Sequence, residues 1–205
     1  MKFTPGSLDR QNLSHLLTDI VVPRPIAWVS TINTNGISNI APFSAYSMVG
    51  ANPMVVCFTS NSTREGRKKD TSLNIELTKE FVISVVTEDL AEAMNETCAP
   101  YPRDVSEYEK AGLTPVKGDI VKVPMVGESP VNMECKLLQL LEFGELPSLS
   151  TLIIGEVLMV HVADELYSKE TGRLEGLKAI GRLGGDGGVY CRTNDRFHMT
   201  RPTLL

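Results

Sequence analysis

Runs of β-branched and apolar residues, each bounded by Pro, Gly, Asn or Ser, dominate the pattern of hydrophobic and polar positions along the chain. Such runs are typical of β-strands that end in turns. The pattern predicts long strands over residues 26–32, 54–60, 80–86, 131–143 and 151–162. Strands of this number and length must close on themselves or stack in layers to bury their apolar faces.

The strand predicted over residues 131–143 begins with apolar and polar residues in alternation. This alternation is typical of a strand with one face in the core and one in water, which favours an antiparallel barrel over a parallel sheet. Short helices are predicted over residues 71–79, 89–97 and 105–111. No repeat, low-complexity tract or flexible linker divides the chain, so residues 1–205 are expected to form one domain.

Composition and charge narrow the classes of partner. Of the 205 residues, 42% are hydrophobic and 22% are charged, the balance of a folded globular protein. The formal net charge of −5 disfavours nucleic acid and anionic membranes as partners, because both are bound through a surplus of Lys and Arg. The apolar runs are too short for a membrane helix, and the N-terminal stretch has no apolar core of signal-peptide length. We therefore expect no membrane contact and a cytoplasmic location.

Familiar catalytic and metal-binding motifs are missing from the sequence. The histidines His15, His161 and His198 are far apart, and no Gly-x-Ser-x-Gly, P-loop or zinc-binding spacing occurs. The glycines over residues 181–188 do not follow the Gly-x-Gly-x-x-Gly fingerprint of dinucleotide-binding folds. The four cysteines are widely separated and are expected to be reduced thiols. The sequence therefore predicts neither a catalytic side chain nor a metal site.

The loop over residues 60–71 is basic in a chain that is otherwise acidic. It carries Arg64, Arg67, Lys68 and Lys69, and it leads into a predicted helix whose N-terminus favours an anion. A phosphate monoester fits such a loop, with hydroxyl donors available from Ser60, Ser62, Thr63 and Thr71 and with Asp70 as the helix cap. The alternative interpretation is a solvated charged loop with an ordinary helix cap.

A second polar segment, Asn-Ile-Ala-Pro-Phe-Ser at residues 39–44, reads as a turn crowded with small polar groups. A hairpin of residues 26–32 and 37–41 would bring Ser30, Thr31, Asn39 and Ser44 to one end of the sheet, beside the basic loop. Backbone groups of residues 41–44 could then pair with the edge of a planar heterocycle. The alternative is a β-turn in which Asn, Pro and Ser serve backbone geometry alone.

Three segments together carry a family likeness: RPIAWVSTINTNGISNIAPFSAYSMVGANPMVVCFTS, KKDTSLNIELTKEFVISVV and GRLGGDGGVY. They resemble the flavin reductase-like proteins that bind FMN, a group that includes flavoredoxin. The likeness spans roughly residues 21–190. It implies a mainly β protein, an antiparallel split β-barrel of Greek-key type with a few short helices, that forms a homodimer with FMN near the subunit interface.

The resemblance also implies which residues contact the cofactor. The isoalloxazine ring and ribityl chain would be contacted by Ser30, Thr31, Asn39, Ala41, Pro42, Phe43 and Ser44. The phosphate would be held by Thr59, Ser60, Ser62, Arg67, Lys69 and Thr71. Arg182, in the glycine-rich segment, would approach the ring from its other side.

Two functions follow from this resemblance. In the first, NADH or NADPH binds transiently and passes a hydride to the flavin N5 atom, with the flavin carrying the chemistry and no catalytic side chain required. In the second, the protein is a non-enzymatic electron carrier that keeps FMN bound and exchanges electrons with a redox partner protein. A more distant alternative is a barrel that binds another ligand, such as pyridoxal phosphate or haem.

Overall fold

The protein is described by a computed structural model over residues 1–185 and 187–203. Its strands in chain order are β1 (Arg24–Pro25), β2 (Ala27–Ile32), β3 (Ser38–Phe43), β4 (Tyr46–Ala51), β5 (Met54–Asn61), β6 (Glu80–Val85), β7 (Pro115–Val116), β8 (Met125–Val126), β9 (Val131–Phe143), β10 (Ser150–Val162), β11 (Tyr167–Ser168), β12 (Arg173–Leu174), β13 (Ile180–Arg182) and β14 (Tyr190–Arg192). The α-helices are α1 (Arg10–Ile20), α2 (Asp70–Thr78), α3 (Ala91–Glu96) and α4 (Glu107–Lys110), and 3₁₀ turns occur at Pro5–Ser7, Glu88–Leu90 and Asp164–Leu166.

Seven strands form the main sheet, in the order β3-β2-β6-β9-β10-β5-β4, and every neighbouring pair is antiparallel. The sheet curls on itself, because the Phe43 ring on β3 lies 5.0 Å from the Phe58 ring on β5, five places away in the strand order. Phe58 in turn lies 5.7 Å from Phe81 on β6. The prediction of an antiparallel barrel with a few short helices is confirmed.

Two apolar clusters hold the barrel and its covering elements. Inside the curled sheet, Val29, Phe58, Phe81, Ile83 and Ile153 are buried together. Burial of side chains of this size contributes about 1.5–3 kcal/mol each. On the other face of β2 and β3, a second cluster of Trp28, Ile40, Met94 and Tyr108 packs α3 and α4 against the sheet. The second cluster therefore fixes the segments beside the candidate site described below.

The segment read as a turn at residues 39–44 is mostly strand. Residues up to Phe43 belong to β3, which pairs with β2 along its whole length. β3 is an edge strand, so Pro42 can lie within it without breaking a ladder on both sides. The hairpin between β2 and β3 through residues 33–36 is as predicted.

The helix predictions need three corrections. α2 begins at Asp70, with Lys69 at the N-cap position, so Asp70 is not the cap. The helix predicted over residues 89–97 is a 3₁₀ turn followed by the short α3, and the one predicted over 105–111 is a single turn, α4. A further helix, α1, was not predicted; it is largely exposed, and its N-terminus is capped by Asp9. Over the residues described here, no helix is long and apolar enough to cross a membrane.

Candidate functional site

The N-terminus of α2 lies next to the edge strand β3. Lys69 precedes the first helical residue in an extended conformation, and its own side chain does not cap the helix. The first backbone N–H groups of a helix have no partner within the helix, so this end is suited to an anion. The Lys69 ammonium lies 5.2 Å from the centre of the Phe43 ring, and burial lowers its pKa. A positive charge thus lies half-buried between α2 and β3.

A first cavity of about 320 Å³ opens beside this charge. Three of the residues predicted to bind the cofactor line it: Pro42, Ser44 and Arg182. Cys98 and Tyr190 line it as well. The Arg182 guanidinium lies 4.6 Å from the centre of the Tyr190 ring, close enough for a cation–π contact that holds it at the cavity wall.

The first cavity is electropositive. Among the described residues that line it, none carries a carboxylate. Arg24 stands beside Arg182, and burial, followed by the charge of Arg182, lowers the pKa of Arg24. Its guanidinium is held in place because it donates hydrogen bonds to the backbone oxygens of Thr18, Val21 and Leu183. The cavity therefore offers positive charge beside apolar walls.

A second cavity, of about 500 Å³, lies against the same helix start. Lys68 and Asp70, the sequence neighbours of Lys69, line this second cavity, whereas the side chain of Lys69 reaches Phe43, on the edge strand that also bears Pro42 of the first. The loop after α3 likewise joins the two, since Cys98 lines the first cavity and the segment 100–103 lines the second. The two cavities are thus adjacent along both segments.

The basic residues of the second cavity differ in how far they are neutralised. Lys68 forms ion pairs with Glu76 at 2.6 Å and Glu142 at 2.5 Å. Arg103 pairs with Asp70 at 3.2 Å and also donates to the side-chain oxygen of Asn74. In the part of the chain that the structure describes, no carboxylate lies within ion-pair distance of Arg67, which also lines this cavity.

Several predicted contacts belong to an internal hydrogen-bond network. The side-chain oxygen of Asn39 accepts from Thr71 at 3.0 Å and from Thr31 at 3.3 Å. The Asn39 amide nitrogen donates to Glu107 at 2.7 Å, and the same carboxylate accepts from the Ile40 backbone. Burial raises the pKa of Glu107, and these hydrogen bonds oppose the shift. The network fixes α2 and α4 against β3.

Two further predicted hydroxyls are also engaged. Ser30 is fully buried and is hydrogen-bonded to the Tyr108 hydroxyl at 2.7 Å. Ser62 donates to the backbone oxygen of Pro147 at 2.6 Å. These two side chains tie β2 to α4 and the basic loop to the β9–β10 turn, so the structure places them outside both cavities.

The remaining predicted residues lie on β3 and β5. Ala41 and Phe43 pack on the barrel core, and Thr59 is half-buried on β5. Ser60 is 2% exposed, and among the described residues its hydroxyl is a buried polar atom without a hydrogen-bond partner. An unsatisfied buried hydroxyl costs about 1–3 kcal/mol, so such groups are usually found where a ligand or water completes them.

Sequence reasoning missed the segment 98–103, which borders both cavities. It follows α3 as an irregular stretch, Cys-Ala-Pro-Tyr-Pro-Arg, without the charge run that drew attention to the basic loop. Two prolines flanking a tyrosine were the available signal, because each proline fixes its own φ and the second restricts the tyrosine backbone to extended conformations.

A cluster of potential metal ligands lies elsewhere in the fold, on β9, on β10 and in the loop between β7 and β8. Oxygen and nitrogen atoms of Asp119, Glu134 and His161 lie within 4.8 Å of one another. The buried Glu134 carboxylate accepts hydrogen bonds from the backbone N–H groups of residues 119–121 and contacts His161 Nε2 at 2.6 Å. These partners already account for the carboxylate, so the cluster is explained as structural.

Comparison with known proteins points to one family. The profile of the flavin reductase like domain matches residues 20–178. An uncharacterised protein from Aquifex aeolicus is 39% identical over 186 residues, which cover 90% of this chain and 93% of that protein.

Solved structures agree with this match. Nitrilotriacetate monooxygenase component B from Bacillus cereus has a TM-score of 0.90 at 36% identity, covering 97% of this chain and 98% of that one. The 2-nitrobenzoate 2-nitroreductase NbaA of Pseudomonas fluorescens has a TM-score of 0.87 at 30% identity, with coverage of 100% and 98%. Flavoredoxin of Desulfovibrio vulgaris (Miyazaki F), at 20% identity over 97% of each chain, shares the fold with a TM-score of 0.74.

Proposed function

The chain belongs to the flavin reductase-like family, and from this premise we propose that it binds FMN and transfers a hydride from NADH or NADPH to the flavin N5 atom. The proposal rests on the spatial order of three features: the first cavity, Lys69 and the N-terminus of α2. An electropositive cavity with apolar walls leads, through the half-buried Lys69, to a helix N-terminus that the Lys69 side chain does not cap. A planar heterocycle joined to a phosphate matches that order of groups.

The chemistry of the surrounding groups fits FMN. Pro42, Ser44 and Arg182 would border the ring in the first cavity, and Lys69 with the backbone N–H groups of α2 would hold the phosphate. Among the described residues the Ser60 hydroxyl has no hydrogen-bond partner, and in the proposal it donates to the ligand. Thr59 and Arg67 stay in the proposal as neighbours of the phosphate, on the strand and loop that lead to α2.

Bound flavin supplies the redox chemistry of the reaction. The protein's part is to bind and orient. Lys69 and Arg182 place positive charge beside the cavity, which favours an anionic ligand and stabilises negative charge that develops on it. Trp28, Met94 and Tyr108 hold α3 and α4 against the sheet, so the cavity walls stay in register. No proton transfer by a side chain is required.

The finer parts of the proposal come from the family likeness. They are a single domain over residues 1–205, a homodimer that places FMN near the subunit interface, and a cytoplasmic location. Light scattering during gel filtration tests the dimer: we expect twice the mass of the 22.4 kDa chain. A monomer at micromolar concentration would contradict this part of the proposal without touching flavin binding.

The main test is the visible absorption spectrum of the purified protein after incubation with FMN and removal of free ligand. We expect about one FMN per chain, and anaerobic addition of NADH or NADPH should bleach it within seconds. Absence of retained flavin, together with no binding in an equilibrium titration, would overturn the proposal. Retained flavin that dithionite reduces but neither nucleotide reduces would instead identify an electron carrier that takes electrons from a partner protein.

A further inference from the structure

The second cavity is larger than a phosphate group needs. At about 500 Å³ it exceeds the first cavity, which would receive the flavin ring in the proposed function. Its lining runs from the basic loop and the start of α2 to the segment 100–103, which includes Tyr101. A mononucleotide would therefore leave most of this space unfilled, whereas a dinucleotide has a further half that could enter it.

We infer that the second cavity is a subsite for the adenylate half of a dinucleotide, either FAD or NAD(P)H. The inference rests on the proposed function, because it takes the flavin ring to lie in the first cavity. Adenylate has two chemical parts that need recognition, a flat aromatic base and an anionic phosphate. The second cavity offers a partner for each.

Tyr101 is the partner for the base. It lies between Pro100 and Pro102, which stiffen the backbone on both sides, and all three residues line the cavity. The Tyr101 hydroxyl donates to the Glu96 carboxylate, a contact that raises its pKa and restrains the ring. A half-buried aromatic ring that is already fixed loses little entropy when a base stacks on it. Such stacking is worth about 1–3 kcal/mol per base.

The phosphate partner is Arg67, with the start of α2 behind it. Within the described residues, Lys68 is neutralised by two carboxylates and Arg103 shares its charge with Asp70, the acidic residue of the cavity lining. Arg67 is the cation of this group that the protein leaves without an ion pair among those residues. Glu65 lies near enough for the Arg67 charge to help lower its pKa, but it forms no ion pair with Arg67 among those residues, so the guanidinium beside the N-terminus of α2 suits one phosphate of a pyrophosphate.

The test compares ligands that differ only in the adenylate. Tyr101→Ala and the wild type are titrated with FMN and with FAD, and the KM for NADH is compared with the KM for reduced nicotinamide mononucleotide, which lacks adenylate. Tyr167→Ala, another half-exposed tyrosine on the distant β11, is the matched control. Tyr101→Phe keeps the ring and loses only the hydroxyl, and the melting temperature of each variant checks its folding.

We expect Tyr101→Ala to weaken one adenylate-bearing ligand about 10-fold, from the loss of base stacking, with FMN and the mononucleotide within twofold of wild type. Tyr101→Phe should retain most of the wild-type affinity. A change confined to FAD assigns the subsite to the flavin, and a change confined to the KM for NADH assigns it to the reductant.

Two results would overturn the inference. Equal losses for FMN and FAD would show that the second cavity serves the FMN phosphate, which leaves the proposed function intact. Unchanged values for all four ligands would show that no adenylate reaches Tyr101. Failure of the proposed function is recognised separately, because the wild type would then bind no FMN.

Discussion

Two polar regions of this protein, one around Glu134 and one around Lys69, differ in how many of their polar groups are hydrogen-bonded within the protein. Around Glu134, every group has a partner: the fully buried carboxylate takes three backbone N–H groups and a histidine nitrogen. Around Lys69, the ammonium faces an aromatic ring and its side chain does not cap the helix start; on β5, the Ser60 hydroxyl has no hydrogen-bond partner among the described residues. The carboxylate of Glu134 therefore has its hydrogen-bond partners within the protein, whereas the first backbone N–H groups of α2 are available to a ligand.

The difference separates structural polar groups from binding ones. A buried charge that is fully hydrogen-bonded fixes the chain around it, here the loop over residues 118–121, and Gly118 packs so closely on Glu134 that no larger side chain would fit. Hydrogen-bond donors without a partner reduce the stability of the unliganded protein, and that loss is recovered when a ligand accepts their hydrogen bonds. The candidate site therefore depends on polar groups that are left available to a ligand, rather than on the number of charges.

The largest effect is expected on the free energy of unfolding when Glu134, in the fully hydrogen-bonded region, is replaced. Burial alone would raise the pKa of Glu134, but the hydrogen bonds from Val121, His161 and their neighbours lower it to about 2. Glu134→Gln should therefore reduce the free energy of unfolding at pH 7 by about 3 kcal/mol. Urea unfolding monitored by circular dichroism measures this change.

The pH dependence of that effect has a definite sign. Because the pKa is lower in the folded protein, the stabilisation is present above the unfolded value near 4.5 and is lost as the pH falls toward 2. The difference between wild type and Glu134→Gln should accordingly shrink as the pH falls from about 5 toward 2. A difference that stays constant over this range would contradict the proposed cause.

The next effect concerns the open region. Lys69→Ala should weaken FMN binding about 20-fold and leave riboflavin binding nearly unchanged, because the lost interaction is the charge-assisted one with the phosphate. Arg64→Ala is the control, since Arg64 is an exposed cation of the same loop outside both cavities. Fluorescence titration of both flavins measures the change, and equal losses for FMN and riboflavin would show that Lys69 does not contact the phosphate.

Lys69 also predicts how FMN affinity depends on pH. Burial lowers the pKa of Lys69 below the ordinary value of 10.5, so the ammonium loses its proton at a lower pH than a free lysine does. FMN affinity should decrease as the pH rises through that pKa, and Lys69→Ala should remove this dependence. An equal decrease in the variant would assign the titration to another group.

A smaller effect separates stability from binding at Ser60. Ser60→Ala removes a buried hydroxyl that has no partner in the described part of the chain, so the unliganded protein should keep its stability or gain about 0.5 kcal/mol. FMN binding should weaken about fivefold, from the loss of one hydrogen bond. Thermal unfolding with and without FMN measures both. Destabilisation of the unliganded variant by more than 1 kcal/mol, about the worth of one hydrogen bond, would show that the hydroxyl has a partner within the protein.

The smallest effect is expected at Asp119, on the exposed margin of the complete region. Its carboxylate lies 3.9 Å from His161 Nδ1, but the side chain is 71% exposed. Solvent screening makes such pairs weak, so Asp119→Asn should change the free energy of unfolding by less than about 0.5 kcal/mol. A loss comparable with that of Glu134→Gln would mean that the three side chains act as one unit.

Much of the fold could be predicted because it is written in local patterns. The alternation and length of the apolar runs gave β2, β5, β6, β9 and β10 within about two residues, a normal margin for element boundaries. Helices were placed less well. The apolar residues Leu13, Leu16, Leu17 and Ile20 have helical spacing, but α1 was not predicted from them, whereas α4 is a single turn too short to show a period. β3 can contain Pro42 because it is an edge strand, and its edge position depends on the order of strands in the sheet. The sequence does not show that order, so residues 39–44 were predicted to be a turn.

Within the candidate site, the sequence determined the chemistry and the tertiary structure decided its use. The basic loop, the polar segment at residues 39–44 and Arg182 could be named in advance, since their charges and hydroxyls are local properties. Whether a hydroxyl is open or engaged depends on residues far along the chain: Ser30 meets Tyr108 and Thr71 meets Asn39, while Ser60 meets no partner among the described residues. The reason is physical, because a polar group is available to a ligand only when the fold has not already satisfied it.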